Sequence, residues 1–266
     1  MDIRLETIIV YPVKSLRGIL LPEVEVTPRG LAADRLWVVT DQTGRFLSQR
    51  SHPGMARIRV TAHPEGWLLS APGRPDLVLT PPEEGPRVEV SIWKDQVGAA
   101  PAPDQATAWL SSFLGAPCQL AFMDRPTARP VLDKLSPEGQ VVSFADAFPV
   151  LATSQASLDL LNTKLEQSVS MDRFRANLVF SGCGPHAEDD WGKFRVGNAV
   201  FRAVKPCSRC SIPTVDQETG EISRNGEPLR TLATYRSQPG GIMFGVNLVI
   251  EKPGLVQLGD KVGLMA

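Results

Sequence analysis

The most reactive stretch of the chain is Lys205-Pro206-Cys207-Ser208-Arg209-Cys210-Ser211-Ile212-Pro213-Thr214-Val215-Asp216. Its two thiols stand three positions apart, with Arg209 next to Cys210 and Lys205 just upstream. Cations this close favour thiolate over thiol, and the thiolate is both the nucleophile and the metal ligand. Four chemistries are compatible with the motif. Two half-buried cysteines need do no chemistry at all, since free cysteine packs as a small hydrophobe. A thioredoxin-like redox pair expects a βαβ setting and a helix N-terminus, whereas SIPTVD reads as strand and turn. A structural zinc site can be completed by Cys183 and His186, giving a Cys₃His tetrahedron with Cys207 and Cys210, although a closed site of that kind leaves Arg209 without a role. Finally, one cysteine alone can bind a soft-ligand metal that keeps a position open for substrate. The local motif does not choose between the last two.

The elements that must position these residues are mostly strands. RLETIIVYPV, VEVTP, RLWVVTD, RFLSQR, GWLLSA, DLVLTP and VEVSIW are short, rich in branched and aromatic residues, and separated by Gly, Pro and Asp. Asp41-Gln42-Thr43-Gly44 reads as a hairpin turn. Closely spaced strands of this kind predict a barrel or sandwich. PAPDQATAWLSSFLGAP then turns helical, with Gly115 as its stop, and SQASLDLLNTKLEQ predicts a helix capped by Ser154 with Leu158, Leu161 and Leu165 on one face. ANLVFSG, a hairpin around Gly197-Asn198, FGVNLVIEK and VQLGDKVGLM return to strand, and GEPLRTLATYR is a short helix with Pro228 near its start. The proline-bearing stretch from Met123 to Gln140 is the candidate boundary. The expectation is a β-rich α+β chain of two units, an N-terminal β-barrel-like domain over 1–122 and a C-terminal β-barrel with a few helices over 123–266.

The 266 residues suffice for two such cores. A net charge of −1 gives no bulk attraction to nucleic acid or anionic lipid, so any cationic site is local. Four cysteines are too few for a disulfide scaffold at this length, which favours a reducing cytosol. The N-terminal segment lacks the order of a secretory signal, and no run reaches the roughly 18 apolar residues of a membrane helix. The expectation is a cytoplasmic protein without membrane or nucleic-acid partners.

Five segments occur in a fixed order: Tyr11-Pro12-Val13-Lys14-Ser15-Leu16-Arg17-Gly18, Asp34-Arg35-Leu36-Trp37, Phe144-Ala145-Asp146 before Pro149, Phe174-Arg175-Ala176-Asn177, and the Cys-Ser-Arg-Cys motif. Together they span essentially the whole chain. The set resembles the MOSC (molybdenum cofactor sulfurase C-terminal) family, in the branch with an N-terminal β-barrel domain that includes the amidoxime-reducing components and their bacterial relatives. The resemblance implies a pyridoxal phosphate-independent oxidoreductase with a molybdenum–molybdopterin cofactor. Two dithiolene sulfurs hold the metal and Cys210 supplies a third, leaving Cys207 structural. Lys14, Ser15, Arg35, Arg175, Asn177, Ser208 and Arg209 match positions that bind the cofactor's phosphate and pterin. Asp146-Ala147-Phe148 corresponds to a cofactor-contacting loop in which Ala147 and Phe148 offer only backbone, and Asp146 is a candidate catalytic proton relay. Arg17 is placed at the entrance. The physical chemistry agrees: a phosphate-bearing anionic cofactor needs several donors, and arginine offers planar bidentate contacts.

The activity implied is reductive removal of oxygen from small N-hydroxylated substrates. No plant-type iron–sulfur cysteine run is present, so the electrons are expected from a separate ferredoxin, flavoprotein or cytochrome. Two other functions remain open at this stage. One is a cofactor or sulfur carrier/transferase with Cys210 as persulfide carrier; the other is a non-catalytic, zinc-stabilised binding module.

Overall fold

The computed structural model of the chain describes residues 2–82, 85–124 and 127–265, so the expected boundary stretch 123–140 is described except at positions 125 and 126. Strands dominate, as expected, around three α-helices among the described residues: α1 (Asp104–Leu114), α2 (Gln155–Asn162) and α3 (Leu229–Arg236).

The largest sheet has nine strands and takes them from both sides of residue 122. Arg4–Val10 pairs antiparallel with Leu178–Ser181 and with Ile19–Leu21. Leu178–Ser181 lies parallel to Val150–Ser154, and α2 is the crossover that a parallel pair requires. Val150–Ser154 continues through Gly241–Lys252 to the long strand Ala199–Ser208, at whose end the cysteine motif begins. Leu5, Ile8, Val10, Phe180, Phe194 and Leu248 pack one face of this sheet into a core.

Two smaller sheets are built wholly from residues 37–122. One orders Trp37–Thr40, Gln119–Phe122, Asp95–Pro101 and Val88–Ile92; the other orders Arg59–His63, Gly66–Ser70 and Leu77–Leu79. Trp37–Thr40 is buried throughout because it is pressed on both faces, Trp37 and Val39 against one core and Val38 against another. A strand covered on both sides has no solvent face to alternate with, hence its unbroken apolar run.

The predicted helices form where expected. Gly115 ends α1 in the left-handed region at φ 67°, and the Ser154 hydroxyl accepts from the Ser157 amide to cap α2. Three local expectations are corrected. RFLSQR is not a strand: Arg45 and Phe46 make only isolated bridges, and the segment continues as a loop. α2 stops at Asn162 and leaves Leu165 outside, because the Asn162 side chain turns to bond the backbone of Val169 as donor and acceptor. SIPTVD contains a short 3-10 turn at Ile212–Thr214.

Candidate functional site

The Tyr11–Gly18 segment leaves the large sheet and is clamped against the next motif. Lys14 donates its amide to the Trp37 carbonyl at 2.8 Å, and Arg35 donates its amide to the Tyr11 carbonyl at 2.7 Å. Gly18 has a steric role here, since a Cβ at that position would stand 2.6 Å from the Tyr11 ring. Tyr11 is buried, and the guanidiniums of Arg35 and Arg175 lie 4.6 and 4.1 Å from its ring centre. A buried aromatic face can hold two like charges side by side because the ring quadrupole attracts each.

Ser15, Arg35 and Arg175 all have positive φ, at 69°, 50° and 55°. Holding a non-glycine residue there costs on the order of 1–2 kcal/mol each. The surrounding bonds enforce it. Arg35 donates to Asp34 at 2.5 Å, to the Asn177 side-chain oxygen at 2.9 Å and to the Arg175 carbonyl at 3.1 Å. Burial works against the Arg35 charge, but Asp34 overrides it and holds the pKa above its ordinary value.

These residues open into a cavity of about 480 Å³, within the range of small-molecule sites. Lys14, Ser15, Arg35, Asp146, Arg175, Asn177, Ser208, Arg209 and Cys210 all line it, although they come from segments spread from position 14 to position 210. Ala147 and Phe148 line it as well. Six lining residues are cations (Lys14, Arg35, Arg50, Arg175, Lys205 and Arg209), against Asp146 as the lone carboxylate among the lining residues. Arg17 does not line the cavity; it is drawn aside into an ion pair with Glu218, which corrects its expected place at the entrance.

Each charge has its own setting. Lys14 is buried, donating to the Phe144 carbonyl at 2.8 Å and to Asp146 at 2.5 Å. Burial pushes its pKa down to about 8, against the pull of Asp146. Desolvation disfavours the Asp146 charge, yet Lys14 outweighs it and holds the carboxyl well below the usual range. Asp146 is therefore an ionised acceptor at neutral pH, with a half-exposed side chain. Arg175 donates one nitrogen to the Leu16 carbonyl at 2.9 Å, while its Nη2 is buried without a partner. Burial lowers its pKa to about 10, so it stays charged. Arg209 bonds the Cys207 sulfur at 3.1 Å and the Phe174 carbonyl at 2.7 Å, leaving Nε buried and unpartnered. An unmatched buried guanidinium edge is expensive unless a ligand completes it.

Asn177 uses all its capacity on protein. Its oxygen accepts from Arg35 and from the Leu151 amide, and its nitrogen donates to the Ile9 carbonyl and to Asp34. With both lone pairs and both hydrogens engaged, it has nothing left for a pterin edge. Ser208 is exposed and donates to the Gly240 carbonyl at 2.8 Å, leaving its lone pairs free to accept.

Arg50 and Trp93 line the cavity without having been expected there. Arg50 donates to the Cys210 sulfur at 3.6 Å and lies 4.7 Å from the Trp93 ring centre. Trp93, 57% exposed and with φ 56°, donates its indole N–H to Asp146 at 3.3 Å. Arg50 was hidden in RFLSQR, whose Phe and Leu mimic a strand.

The zinc set does not assemble. Among the described residues no three His, Cys, Asp or Glu side chains converge to hold a metal ion. Cys183 packs against the main sheet core, and His186 lies against Tyr235 and Phe244. Nor is the Cys207–Cys210 pair in a βαβ setting, since Cys207 stands at the end of a strand and Cys210 precedes a three-residue 3-10 turn. The donor set that does assemble, the Cys210 thiol with four guanidiniums and two lysines in one cavity, suits an anionic cofactor with a soft metal.

Comparison with known proteins agrees with the ordered motifs. Residues 2–117 match the MOSC N-terminal beta barrel domain, and residues 139–263 match the MOSC domain. The chain is 34% identical over 274 residues to mitochondrial amidoxime-reducing component 1 of Mus musculus, covering 96% of this chain and 80% of that protein. The Homo sapiens protein of the same name is also 34% identical, with 96% and 81% covered. Molybdenum cofactor sulfurase of Oryza sativa subsp. japonica is 33% identical over 94% of this chain, which corresponds to 33% of that longer protein. No helix among the described residues is long and apolar enough to cross a membrane. The chain belongs to the MOSC domain family and carries the MOSC N-terminal beta barrel domain ahead of the MOSC domain.

Proposed function

We propose that the chain is a molybdenum-cofactor-dependent oxidoreductase that reduces N-hydroxylated compounds, with Cys210 as the protein ligand to molybdenum. The observation that carries this reading is the convergence of the Cys210 thiol and six cations on one cavity, with the Arg175 Nη2 and Arg209 Nε edges buried and unmatched. The names of the relatives, amidoxime-reducing components and a molybdenum cofactor sulfurase, support the same reading.

Lys14, Ser15, Arg35, Arg175, Ser208 and Arg209 hold the cofactor's anionic phosphate and pterin, the guanidiniums offering forked donors and Lys14 a point charge. Asn177 serves by locking Arg35 rather than by touching the ligand. When bound, the cofactor supplies the two-electron chemistry that cleaves the N–O bond. Asp146, ionised and exposed on one side, orients Lys14 as its hydrogen-bond acceptor; a carboxyl held so far below neutrality is a poor proton acceptor as well as a poor donor, so positioning Lys14 takes the place of the expected proton relay. The electrons come from a separate carrier, a ferredoxin, flavoprotein or cytochrome, and the protein works in the cytoplasm. The division at residues 122 and 123 is part of the proposal and falls between the two family matches.

The test is expression in cells that make the cofactor, followed by metal and pterin analysis and turnover of an amidoxime with a chemical reductant. The reading predicts molybdenum and pterin in equal amounts and formation of the amidine. Stoichiometric zinc without molybdenum contradicts it. Sulfur transfer without amidine formation would make the chain a carrier instead.

A further inference from the structure

Arg50 is a cavity cation that neither the ordered motifs nor the family resemblance assigns. Its Nη1 lies 3.6 Å from the Cys210 sulfur, within reach of a hydrogen bond to sulfur. Its guanidinium is stacked on two rings, 4.7 Å from the centre of Trp93 and 5.5 Å from that of Phe46. These rings meet edge to face at 5.3 Å and form a platform. Among the described residues Arg50 has no carboxylate in an ion pair, in contrast to Lys14, Arg35 and Lys205, which have Asp146, Asp34 and Asp133. The platform itself is braced: the Trp93 indole donates to Asp146, the residue paired with Lys14. Asp146 is within electrostatic reach of Arg50 but is ion-paired with Lys14, so a half-buried guanidinium held flat by aromatic faces and aimed at a sulfur, itself in no ion pair, compensates negative charge on that sulfur.

We infer that Arg50 is a positioning residue that donates to the Cys210 ligand sulfur and raises the reduction potential of the metal, with Phe46 and Trp93 as the platform that aims it. The inference rests on the proposed role of Cys210 as metal ligand. Its physical basis is that a positive charge and a hydrogen bond at a ligand sulfur draw electron density from the metal and favour the reduced, more negative state.

The experiment uses the cofactor-loaded full chain in wild-type, Arg50→Gln, Arg50→Lys and Trp93→Leu forms. It measures molybdenum and pterin content, the potential of the metal by redox titration, and the electron paramagnetic resonance signal of its half-reduced state. Arg50→Gln is expected to lower the potential and alter the signal. Arg50→Lys, which keeps the charge, recovers part of the shift, and Trp93→Leu gives a smaller fall in the same direction. A loaded Arg50→Gln protein with unchanged potential and signal overturns the inference. If Arg50→Gln loses its cofactor, Trp93→Leu decides: a lowered potential supports the inference and an unmoved one overturns it. A wild-type protein that holds no molybdenum overturns both this inference and the proposed function, whereas a loaded wild type with unmoved variants overturns this inference alone.

Discussion

Cys210 and Cys183 show how one residue type is given opposite chemistry by its surroundings. Around Cys210 stand Arg50 and Arg209, a cavity wall and no carboxylate partner for either cation among the described residues. Around Cys183 stand an apolar sheet core and the acidic turn Ala187–Asp190. Burial, reinforced by Glu188, pushes the Cys183 thiol up, and burial likewise raises Glu188. His186 sits in the same low-dielectric neighbourhood with both ring nitrogens buried and unpartnered. Ligand-type residues close in sequence therefore say little about metal chemistry until their charge environment is known. The acidic, apolar turn suppresses a thiolate at Cys183, whereas the cavity sets cations beside the Cys210 sulfur.

The comparison can be broken most directly by exchanging the two thiols for hydroxyls. Cys210→Ser is expected to lose amidoxime reduction by more than about 100-fold, beyond the roughly 10–100-fold typical of removing a supporting partner of a metal ligand. Cys183→Ser is expected to keep turnover near the wild-type rate. Equal loss in both, in steady-state assays of folded protein, would erase the distinction. Next in size is Arg175→Ala. Loss of a charged donor worth about 1.5–3 kcal/mol predicts retention of the cofactor weakened by roughly 10–100-fold, read as pterin content after dialysis. Unchanged pterin content would remove Arg175 from the site. Cys207→Ser follows. The Cys207 sulfur accepts from Arg209 at 3.1 Å, so its replacement is expected to cost less than about tenfold in turnover, the worth of one ordinary hydrogen bond.

The smallest effect sharpens the other side of the comparison. Burial, reinforced by Arg236, holds the His186 imidazole down at about 4, against an ordinary value of 6.5. Between those values the unfolded chain takes up a proton that the folded chain refuses. The stability associated with His186 is thus complete above pH 6.5 and drains as the pH falls towards about 4. His186→Leu is expected to flatten that part of the thermal-melting profile. A slope unchanged by the substitution would show that His186 titrates normally.

Much of the fold was legible because its strands are short, branched runs between glycine and proline breaks, and because Ser154 and Gly115 are local helix signals. What was not legible depends on distant partners. Nothing in Arg4–Val10 announces that it pairs with Leu178–Ser181, more than 160 residues away. RFLSQR has strand-like composition, yet the Gln49 side chain is tied to the Ser15 carbonyl and to Gln217, and this tertiary bonding makes the segment a buried loop. Arg50 lies in this loop, so strand-like composition gives no sign of its place in the cavity. For the site, Cys210, Lys14, Arg35 and Arg175 were legible as members of ordered motifs. Asn177 was legible as a position but not in its physical role, because only the fold reveals that its four hydrogen bonds are spent inside the protein.

Whether the Cys210 sulfur completes a sulfur-rich metal site in this cavity is read out by molybdenum X-ray absorption on loaded wild-type and Cys210→Ser proteins. Three sulfur scatterers are expected in the wild type and two in the variant. The same sulfur count in both proteins would contradict ligation by Cys210.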